Sequence, residues 1–116
     1  MSSPTQRSLA TLRSSYELVD VVERWIPGAC IRRDFAGFGD IIAIGPGVCV
    51  VQTTSGDNLS KRVHKILESD ALPVLQRAGV KVLAHGWRLN SKKRWVLREV
   101  DLSGPEPAVD VDWEAA

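Results

Sequence analysis

A short turn between two β-rich runs constrains the fold of this chain more than any other feature. Residues 38–44 and 48–54 are rich in apolar and β-branched side chains, and Gly45-Pro46-Gly47 separates them. Two such runs around a short loop that contains Gly and Pro are typical of a β-hairpin. Both runs are nearly continuous in apolar residues, which indicates that both faces of this hairpin are covered.

Polar residues interrupt this hairpin at matching positions. If Ile44 and Val48 bracket the loop, Asp40 lies directly opposite Gln52, with their Cβ atoms about 5 Å apart. Thr54 follows Gln52 on the same face of the strand. An acid and an amide are costly to bury without partners. One interpretation is an edge strand with a solvated face; the other is that Asp40 and Gln52 bind a divalent cation through oxygen ligands, which Mg²⁺ prefers.

The remaining elements predict an α/β fold. Ser3-Pro4-Thr5-Gln6 has the pattern of a capping box, which predicts a helix over about 4–14. A strand over about 17–25 follows and ends at Pro27-Gly28. Further predicted elements are a strand at 31–33, helices over 58–69 and from Asp70 to Gly79, and a second hairpin of strands over 80–88 and 94–102. Together they predict a mixed central sheet of roughly five or six strands flanked by helices.

Glu23 is out of place in the first predicted strand. As a strand residue it shares a face with Val19 and Val21, and in a helix it would lie on the apolar stripe. A carboxylate directed toward a core needs a partner, a metal ion or a raised pKa. Glu23 is therefore a candidate ligand or acid.

Charge is unevenly distributed along the chain, although the net charge is only +1. Residues 56–100 carry ten Lys and Arg against four acids, whereas the last sixteen residues carry five acids and no base. A basic body with an acidic tail suits a polyanion-binding surface, and a merely solvated charged surface is the alternative. The cations expected to face DNA phosphates are Lys61, Arg62 and Lys65 on the predicted helix and Lys92, Lys93 and Arg94 at the tip of the second hairpin.

Composition bounds the class of protein. With 116 residues, 44% of them hydrophobic and 25% charged, the chain has the size and composition of one globular domain, which excludes a fibrous or disordered protein. Cys30 and Cys49 cannot form a disulfide framework or a four-ligand zinc site, and we expect reduced thiols in a cytoplasmic protein. No apolar run reaches the roughly 20 residues of a membrane span. We predict one domain over 1–102 and a flexible acidic tail over 103–116.

Other catalytic classes find no support in the sequence. There is no Gly-x-Ser-x-Gly elbow of the serine-hydrolase type. Gly37-Phe38-Gly39 precedes a strand rather than opening a helix, so it is not a phosphate-binding fingerprint. Neither His64 nor His85 has a second His or a Cys at metal-binding spacing, so each is expected to be a surface histidine or a hydrogen-bonded core histidine.

The chain resembles the PD-(D/E)XK nuclease superfamily. The resemblance rests on the order helix, strand, hairpin, helix, and on the run Gln52-Thr53-Thr54-Ser55-Gly56-Asp57-Asn58-Leu59-Ser60, which is similar to the signature of VRR-NUC and Holliday-junction-resolvase-like domains. It covers about residues 16–88. It implies a restriction-endonuclease-like α/β fold and a metal-dependent DNA endonuclease, acting on branched DNA with Mg²⁺ or Mn²⁺.

This resemblance assigns roles to individual residues. Asp40 matches the metal-binding Asp of the family, Gln52 takes the place of the second acid, and Thr54 takes the place of the catalytic Lys. Asp40 with Gln52 supplies only one negative charge, so Glu23 or Asp34 has to supply more, and Glu23 is the expected third ligand. Lys61 or Lys65 could reach back to replace the missing Lys.

Two functions therefore remain open on the sequence alone. The first is a structure-selective endonuclease with Asp40, Gln52, Thr54 and Glu23 in its catalytic site. The second is a nuclease-derived module that binds DNA or a protein partner without cleaving, which the missing Lys and acid favour. Because four-way junctions are two-fold symmetric, a homodimer is expected for the first, with the second hairpin as a candidate interface.

Overall fold

The computed structural model describes residues 3–29 and 31–109, with the backbone alone at Arg32. It has a mixed α/β fold with three helices and a six-stranded mixed sheet. This agrees with the α/β class and the mixed sheet that the sequence predicts. The helices are α1 (Pro4–Arg13), α2 (Leu59–Leu67) and α3 (Ala71–Arg77). The strands are β1 (Leu18–Val21), β2 (Arg24–Ile26), β3 (Ile31–Arg33), β4 (Ile41–Ile44), β5 (Val48–Ser55), β6 (Lys81–Leu89), β7 (Trp95–Asp101) and β8 (Ala108–Val109).

The sheet has the strand order β1-β4-β5-β6-β7-β8, and β2 pairs with β3 in a separate two-stranded ribbon. Neighbouring strands of the sheet are antiparallel except for β5 and β6, which are parallel and are connected through α2 and α3. This parallel pair brings Ser55 and Leu89, the last residues of β5 and β6, to the same edge of the sheet. We call it the carboxyl edge, and the opposite one, where Val48 and Lys81 begin these strands, the amino edge.

Helices cover both faces of the sheet. On one face, Leu12 of α1 packs in a buried cluster with the side chains of Ile41, Ala43, Cys49, Val51 and Leu83. On the other face, α2 and α3 contribute to a second cluster whose members include Phe38, Val50, Leu59, Ile66, Leu72 and Val82. Alternate residues of β5 therefore face α1 or the α2–α3 layer, and neither face of this strand is solvated.

The first hairpin has the predicted register. Ile44 pairs with Val48 around Gly45-Pro46-Gly47, and the pairing continues outward to Ile41 with Val51. The Gly45 N–H donates to the Gly47 carbonyl at 2.9 Å and closes the turn. The second hairpin is confirmed as well, since Leu89 pairs with Trp95.

The prediction of one strand over about 17–25 was wrong. The chain forms β1 in the main sheet, leaves it at Val22 and Glu23, and re-enters an extended conformation as β2 in the ribbon. The backbone N–H groups of Val22 and Glu23 both donate to the carbonyl of Asp40, at 2.9 and 3.4 Å. This shared acceptor ends the ladder between β1 and β4, and it holds Glu23 beside Asp40.

The amino end of α1 is capped as its sequence predicts. The Ser3 hydroxyl accepts from the Gln6 N–H at 3.2 Å, and the Gln6 side-chain oxygen accepts from the Ser3 N–H at 2.9 Å. Pro4 occupies the first helical position, where its missing N–H removes no helical hydrogen bond. Both interactions fix the direction in which α1 starts at the carboxyl edge.

The segment that follows β7 contacts the sheet in its described part, residues 102–109. β8 pairs with β7, and the Ser103 hydroxyl accepts from the Val82 N–H at 3.0 Å. The rest of the predicted tail, residues 110–116, lies outside the described residues, as does Cys30. Cys49 is buried as expected. Within the described ranges, no helix is long and apolar enough to cross a membrane.

Gly39 lies shortly before β4, at a position that has no room for a side chain. A Cβ atom at this position would lie 2.6 Å from Val50 Cγ1 and 3.2 Å from Phe35 Cβ. We expect Gly39→Ala to lower the free energy of unfolding by about 1–3 kcal/mol, because the buried, β-branched Val50 has little freedom to move. Gly47→Ala is the matched control, since nothing lies within 4 Å of its Cβ position. Urea denaturation of both variants tests this, and equal stabilities would contradict it.

Candidate functional site

Asp40 forms the centre of a polar cluster at the carboxyl edge. Its Oδ2 atom accepts three hydrogen bonds, from Gln52 Nε2 at 2.9 Å, from the Thr53 N–H at 2.8 Å and from Thr53 Oγ1 at 3.1 Å. Asp40 itself is only 4% exposed. The predicted juxtaposition of Asp40 and Gln52 is therefore present. All three of these hydrogen bonds go to Oδ2 rather than to Oδ1.

The side-chain amide of Gln52 has one orientation that satisfies its donors. Gln52 Nε2 donates both to Asp40 Oδ2 and to the Thr53 carbonyl, the latter at 3.2 Å. The flipped amide would direct its oxygen at two acceptors, so the observed assignment is the favourable one. Gln52 Oε1 is consequently a buried acceptor with no hydrogen-bond partner among the described residues. Such an atom is costly unless a donor or a cation binds it.

Two further carboxylates converge on Asp40. Glu23 lies between β1 and β2, and Asp34 follows β3 directly. One carboxylate oxygen from each of Glu23, Asp34 and Asp40 lies within 4.8 Å of the other two. Glu23 was expected here from the sequence, and Asp34 was the alternative to it; the fold brings both to the site.

Burial and repulsion raise the pKa of Asp40 from its ordinary value of 3.8 to about 6. The largest cause is desolvation by burial, and the negative charges of Glu23 and Asp34 act in the same direction. The hydrogen bonds from Thr53 oppose these effects by stabilising the carboxylate. The site thus brings the negative charges of Glu23 and Asp34 close to a buried carboxyl group.

A pocket of about 730 Å³ contains these acids together with groups that favour an anion. Its lining includes Asp40, Glu23, Asp34, Gln52 and Thr53. The same pocket is also lined by Ser3, Pro4 and Thr5 at the amino end of α1, by Arg24 and Trp25 of β2, and by Arg62 of α2. A helix amino end and two guanidinium groups favour an anion. The pocket therefore has places for a cation and an anion side by side.

The N-terminal turn of α1 is bound to the site through Thr53. Thr5 Oγ1 and Thr53 Oγ1 are 2.7 Å apart in a hydrogen bond, and Thr53 in turn donates to Asp40. Sequence reasoning missed Thr53, because it followed the alternate residue Thr54. No local signal marks Thr53, since its role depends on the approach of α1 from the face opposite to Gln52.

Several predicted site residues lie away from the acids. Thr54 is buried, pairs with Gly86 of β6 and does not line the pocket. Lys61 and Lys65 are exposed on α2, and neither lines the pocket; the cation of this helix that does so is Arg62. Lys65 lies about 6 Å further along α2 than Lys61, in the direction away from the carboxyl edge. The expectation that a lysine of α2 reaches the site finds no support in this arrangement.

The basic tip (Lys92, Lys93 and Arg94) projects from the carboxyl edge between β6 and β7. All three residues are exposed. Asn90 builds the turn, because its Oδ1 accepts from the backbone N–H groups of Lys92 and Arg94 at 2.9 and 3.1 Å. Since β6 and β5 end at the same edge, the tip and the acidic pocket lie on the same end of the molecule.

A buried polar chain connects α1 to the sheet beside the site. Trp87 Nε1 donates to Ser8 Oγ, Ser8 Oγ contacts His85 Nδ1, and His85 Nε2 contacts Glu99 Oε2, each at 2.8 Å. Ser8 and His85 are fully buried, so this Ser–His–Glu arrangement has no access for a substrate. It confirms His85 as a hydrogen-bonded core histidine, whereas His64 is exposed on α2.

The second hairpin offers less free surface than the dimer prediction assumed. Of its apolar residues, Trp87 and Val96 are buried within the single chain, whereas Trp95 and Leu89 are exposed. The guanidinium of Arg7 stacks on the Trp95 ring at 3.4 Å from its centroid. A homodimer stays a prediction.

Comparison of the chain with protein-family models, with curated proteins and with solved structures found no match. The function is therefore inferred from the chemistry of the pocket alone. Three carboxylates and an unpartnered amide oxygen are hard oxygen donors, which suit Mg²⁺, Mn²⁺ or Ca²⁺ better than soft metals. The two arginines and the amino end of α1 that line the same pocket suit a phosphate.

Proposed function

We propose that this protein is a metal-dependent nuclease, with Mg²⁺ or Mn²⁺ bound by Asp40, Glu23 and Asp34 and by the side-chain oxygen of Gln52. The observation that carries the proposal is the buried Oε1 atom of Gln52, which has no hydrogen-bond partner among the described residues and belongs to a side chain that lines the acidic pocket. Acidic clusters occur on many surfaces, but a buried acceptor beside one indicates a ligand that supplies positive charge or a donor.

The dimensions of the site fit a hexacoordinate cation. Octahedral ligands of Mg²⁺ are about 3.0 Å apart in cis positions and about 4.2 Å apart in trans positions, because each Mg–O distance is about 2.1 Å. The three carboxylate oxygens lie within 4.8 Å of one another, so side-chain movements of up to about 2 Å would bring them to these distances. A cation bound there would polarise a phosphodiester and lower the pKa of a coordinated water molecule.

The protein's own groups would hold the phosphate. The positive end of α1, at Thr5, and the guanidinium of Arg62 face the same pocket as the acids. Arg62 is half-buried and permanently charged, so it is placed to stabilise negative charge that develops on the phosphate. We propose that Arg62 supplies the charge for which the resemblance to PD-(D/E)XK nucleases requires a lysine, while Thr54 stays outside the pocket.

The topology supports a restriction-endonuclease-like fold. A helix, a strand, an antiparallel hairpin and a helix follow one another in the order on which the family resemblance rests, with the β2–β3 ribbon inserted before the hairpin. Asp40 directly precedes β4 and Gln52 lies in the second half of β5, so both polar groups lie toward one edge of the sheet. Fold-level likeness alone does not establish activity, and the proposal rests on the pocket.

One observation favours the second candidate, a module that binds DNA without cleaving it. Among the described residues, those lining the pocket include two arginines but no lysine.

Calorimetric titration with Mn²⁺ and Mg²⁺, followed by incubation with single-stranded, duplex and four-way-junction DNA, distinguishes the nuclease from the non-cleaving module. Binding of a divalent cation with metal-dependent cleavage supports the nuclease. DNA binding without products supports the non-cleaving module, and binding of neither a divalent cation nor DNA contradicts both functions.

Gln52→Glu should strengthen metal binding and weaken the metal-free protein. A carboxylate in place of the Gln52 amide would face Asp40 Oδ2 across about the present 2.9 Å without a donor between them. We expect about tenfold tighter Mn²⁺ binding, since the added charge restores a second acid, and a loss of about 2 kcal/mol of stability in EDTA at pH 7. Gln76→Glu, at a distant amide, is the control. Unchanged or weaker Mn²⁺ affinity would count against Gln52 as a ligand.

Neutralisation of the basic tip should weaken DNA binding uniformly across sequences. We expect Lys92→Ala/Lys93→Ala/Arg94→Ala to reduce the salt slope of log Kd for a labelled branched DNA by about 2–3, because each lost phosphate contact removes up to about 0.9. The matched control is Arg13→Ala/Arg77→Ala/Lys81→Ala, which removes the same charge from exposed positions at the amino edge. Equal slopes for the two triple variants would show that binding does not involve the carboxyl edge.

A further inference from the structure

The β2–β3 ribbon places an exposed tryptophan at the mouth of the acidic pocket. Trp25 is 54% exposed, although a buried Trp contributes more to stability than almost any other side chain. It lines the same pocket as Asp40 and Gln52. Trp25 also lies two residues after Glu23, so its Cα is at most about 7 Å from that of a candidate metal ligand.

The same ribbon brings two like charges together. Arg24 of β2 pairs directly with Arg33 of β3 across the strands, and both side chains are exposed. Like charges at directly opposite positions destabilise a strand pair. An anion between or above them removes this repulsion, so the pair favours a ligand with phosphate groups. Arg24 lines the pocket together with Trp25.

We propose that the β2–β3 ribbon binds an unpaired nucleotide, with its base stacked on Trp25 and a flanking phosphate on Arg24, since both of these residues line the pocket. This inference rests on the proposed nuclease function and specifies its substrate class, which is a single strand or the unpaired segment of a branched DNA.

Duplex DNA does not meet the requirements of this arrangement. In a duplex, each base face is covered by its neighbours, so an aromatic ring next to the backbone has no base face to contact. An unpaired base rotates freely and stacks on any aromatic side chain, with little dependence on sequence. Arg62 and the amino end of α1 line the same pocket as Trp25, so they would hold a phosphate of the strand whose unpaired base stacks on Trp25.

The test compares two probes that carry the same phosphates. Fluorescence anisotropy in Ca²⁺ measures the affinity for a labelled oligo(dT) 15-mer and for an abasic oligomer of equal length, and a gel afterwards verifies that both are intact. We expect Trp25→Ala to weaken oligo(dT) binding about 10- to 100-fold, Trp25→Phe to retain most of it, and neither to change abasic binding. Ile31→Ala is the control, because Ile31 is an exposed apolar residue of the same ribbon.

The outcomes are separable from those of the nuclease proposal. Equal loss of oligo(dT) and abasic binding by Trp25→Ala, tighter wild-type binding of a blunt duplex than of oligo(dT), or a loss with Ile31→Ala as large as with Trp25→Ala would overturn the stacking inference. Mn²⁺ calorimetry without DNA tests the metal site independently. If the protein binds metal and cleaves DNA while Trp25→Ala binds oligo(dT) as tightly as the wild type, the nuclease proposal is supported and the stacking inference is rejected.

Discussion

Asp40→Asn should lower metal-dependent cleavage by about a hundred- to a thousand-fold and, at the same time, make the metal-free protein more stable at pH 7. Activity falls because the substitution removes the most buried carboxylate of the site. Its hydrogen bonds survive, because the Asn oxygen still accepts from Gln52 Nε2 and from the Thr53 N–H and hydroxyl. The variant therefore separates the role of the negative charge from that of the hydrogen bonds.

The gain in stability follows from the raised pKa of Asp40. In the folded protein this pKa is about 6, against 3.8 as its ordinary value, so folding favours the protonated form. The stabilising contribution of protonated Asp40 is fully present below pH 3.8 and is lost as the pH rises through 6. At pH 7 the ionised group costs the folded state up to about 3 kcal/mol. Asn carries no charge, so this pH dependence should disappear from its unfolding free energy.

Urea denaturation in EDTA at pH 4.5 and pH 7 measures the gain in stability and its pH dependence. The same experiment with Mn²⁺ measures how much bound metal stabilises each protein. Bound metal stabilises the wild type in proportion to ln(1 + [Mn²⁺]/Kd), and it should stabilise the Asn variant far less. Asp20→Asn is the control, since Asp20 is an exposed acid on β1. Cleavage at the wild-type rate, or a lower stability of Asp40→Asn than of the wild type at pH 7, would contradict the assignment.

The centre of the site could be predicted because its determinants are local. The Gly45-Pro46-Gly47 turn sets the register of the first hairpin, and that register alone places Asp40 beside Gln52. A β-hairpin with a short loop allows only a few registers, and slipping by one residue would reverse both faces. The capping box at Ser3 was readable for the same reason, since it involves residues only three positions apart.

The rest of the site depends on contacts between distant segments. The pattern of β-branched residues from Val19 predicted an uninterrupted strand, because nothing near Glu23 indicates that its backbone N–H is drawn to the Asp40 carbonyl. Arg62 lines the pocket and Lys61 does not. This difference depends on how α2 is rotated about its axis, because that rotation is set by the packing of α2 against the sheet. Short-range patterns carry no information on such docking angles.

The buried hydrogen-bonded chain through Ser8 and His85 joins residues 77 positions apart. Its disruption is the second change for which we expect a large effect, which is a loss of stability. With hydrogen on Nε2, His85 donates to Glu99 and accepts from the Ser8 hydroxyl, whose oxygen accepts from Trp87 Nε1. The indole N–H of Trp87, the Ser8 hydroxyl and both ring nitrogens of His85 then have partners. We expect His85→Phe and Ser8→Ala each to lower the free energy of unfolding by about 2–4 kcal/mol, because each leaves a buried donor or acceptor unpaired.

His64→Phe is the matched control, because the same substitution at an exposed histidine should change stability by less than about 0.5 kcal/mol. The double variant Ser8→Ala/His85→Phe should be less destabilised than the sum of the two single variants, since the second change removes a group that the first has already left without its partner. Because Thr5 in the first turn of α1 lines the pocket, hydrogen exchange in α1 should rise and cleavage should fall in both single variants. Additive losses, or unchanged exchange in α1, would mean that this chain does not hold the helix over the site.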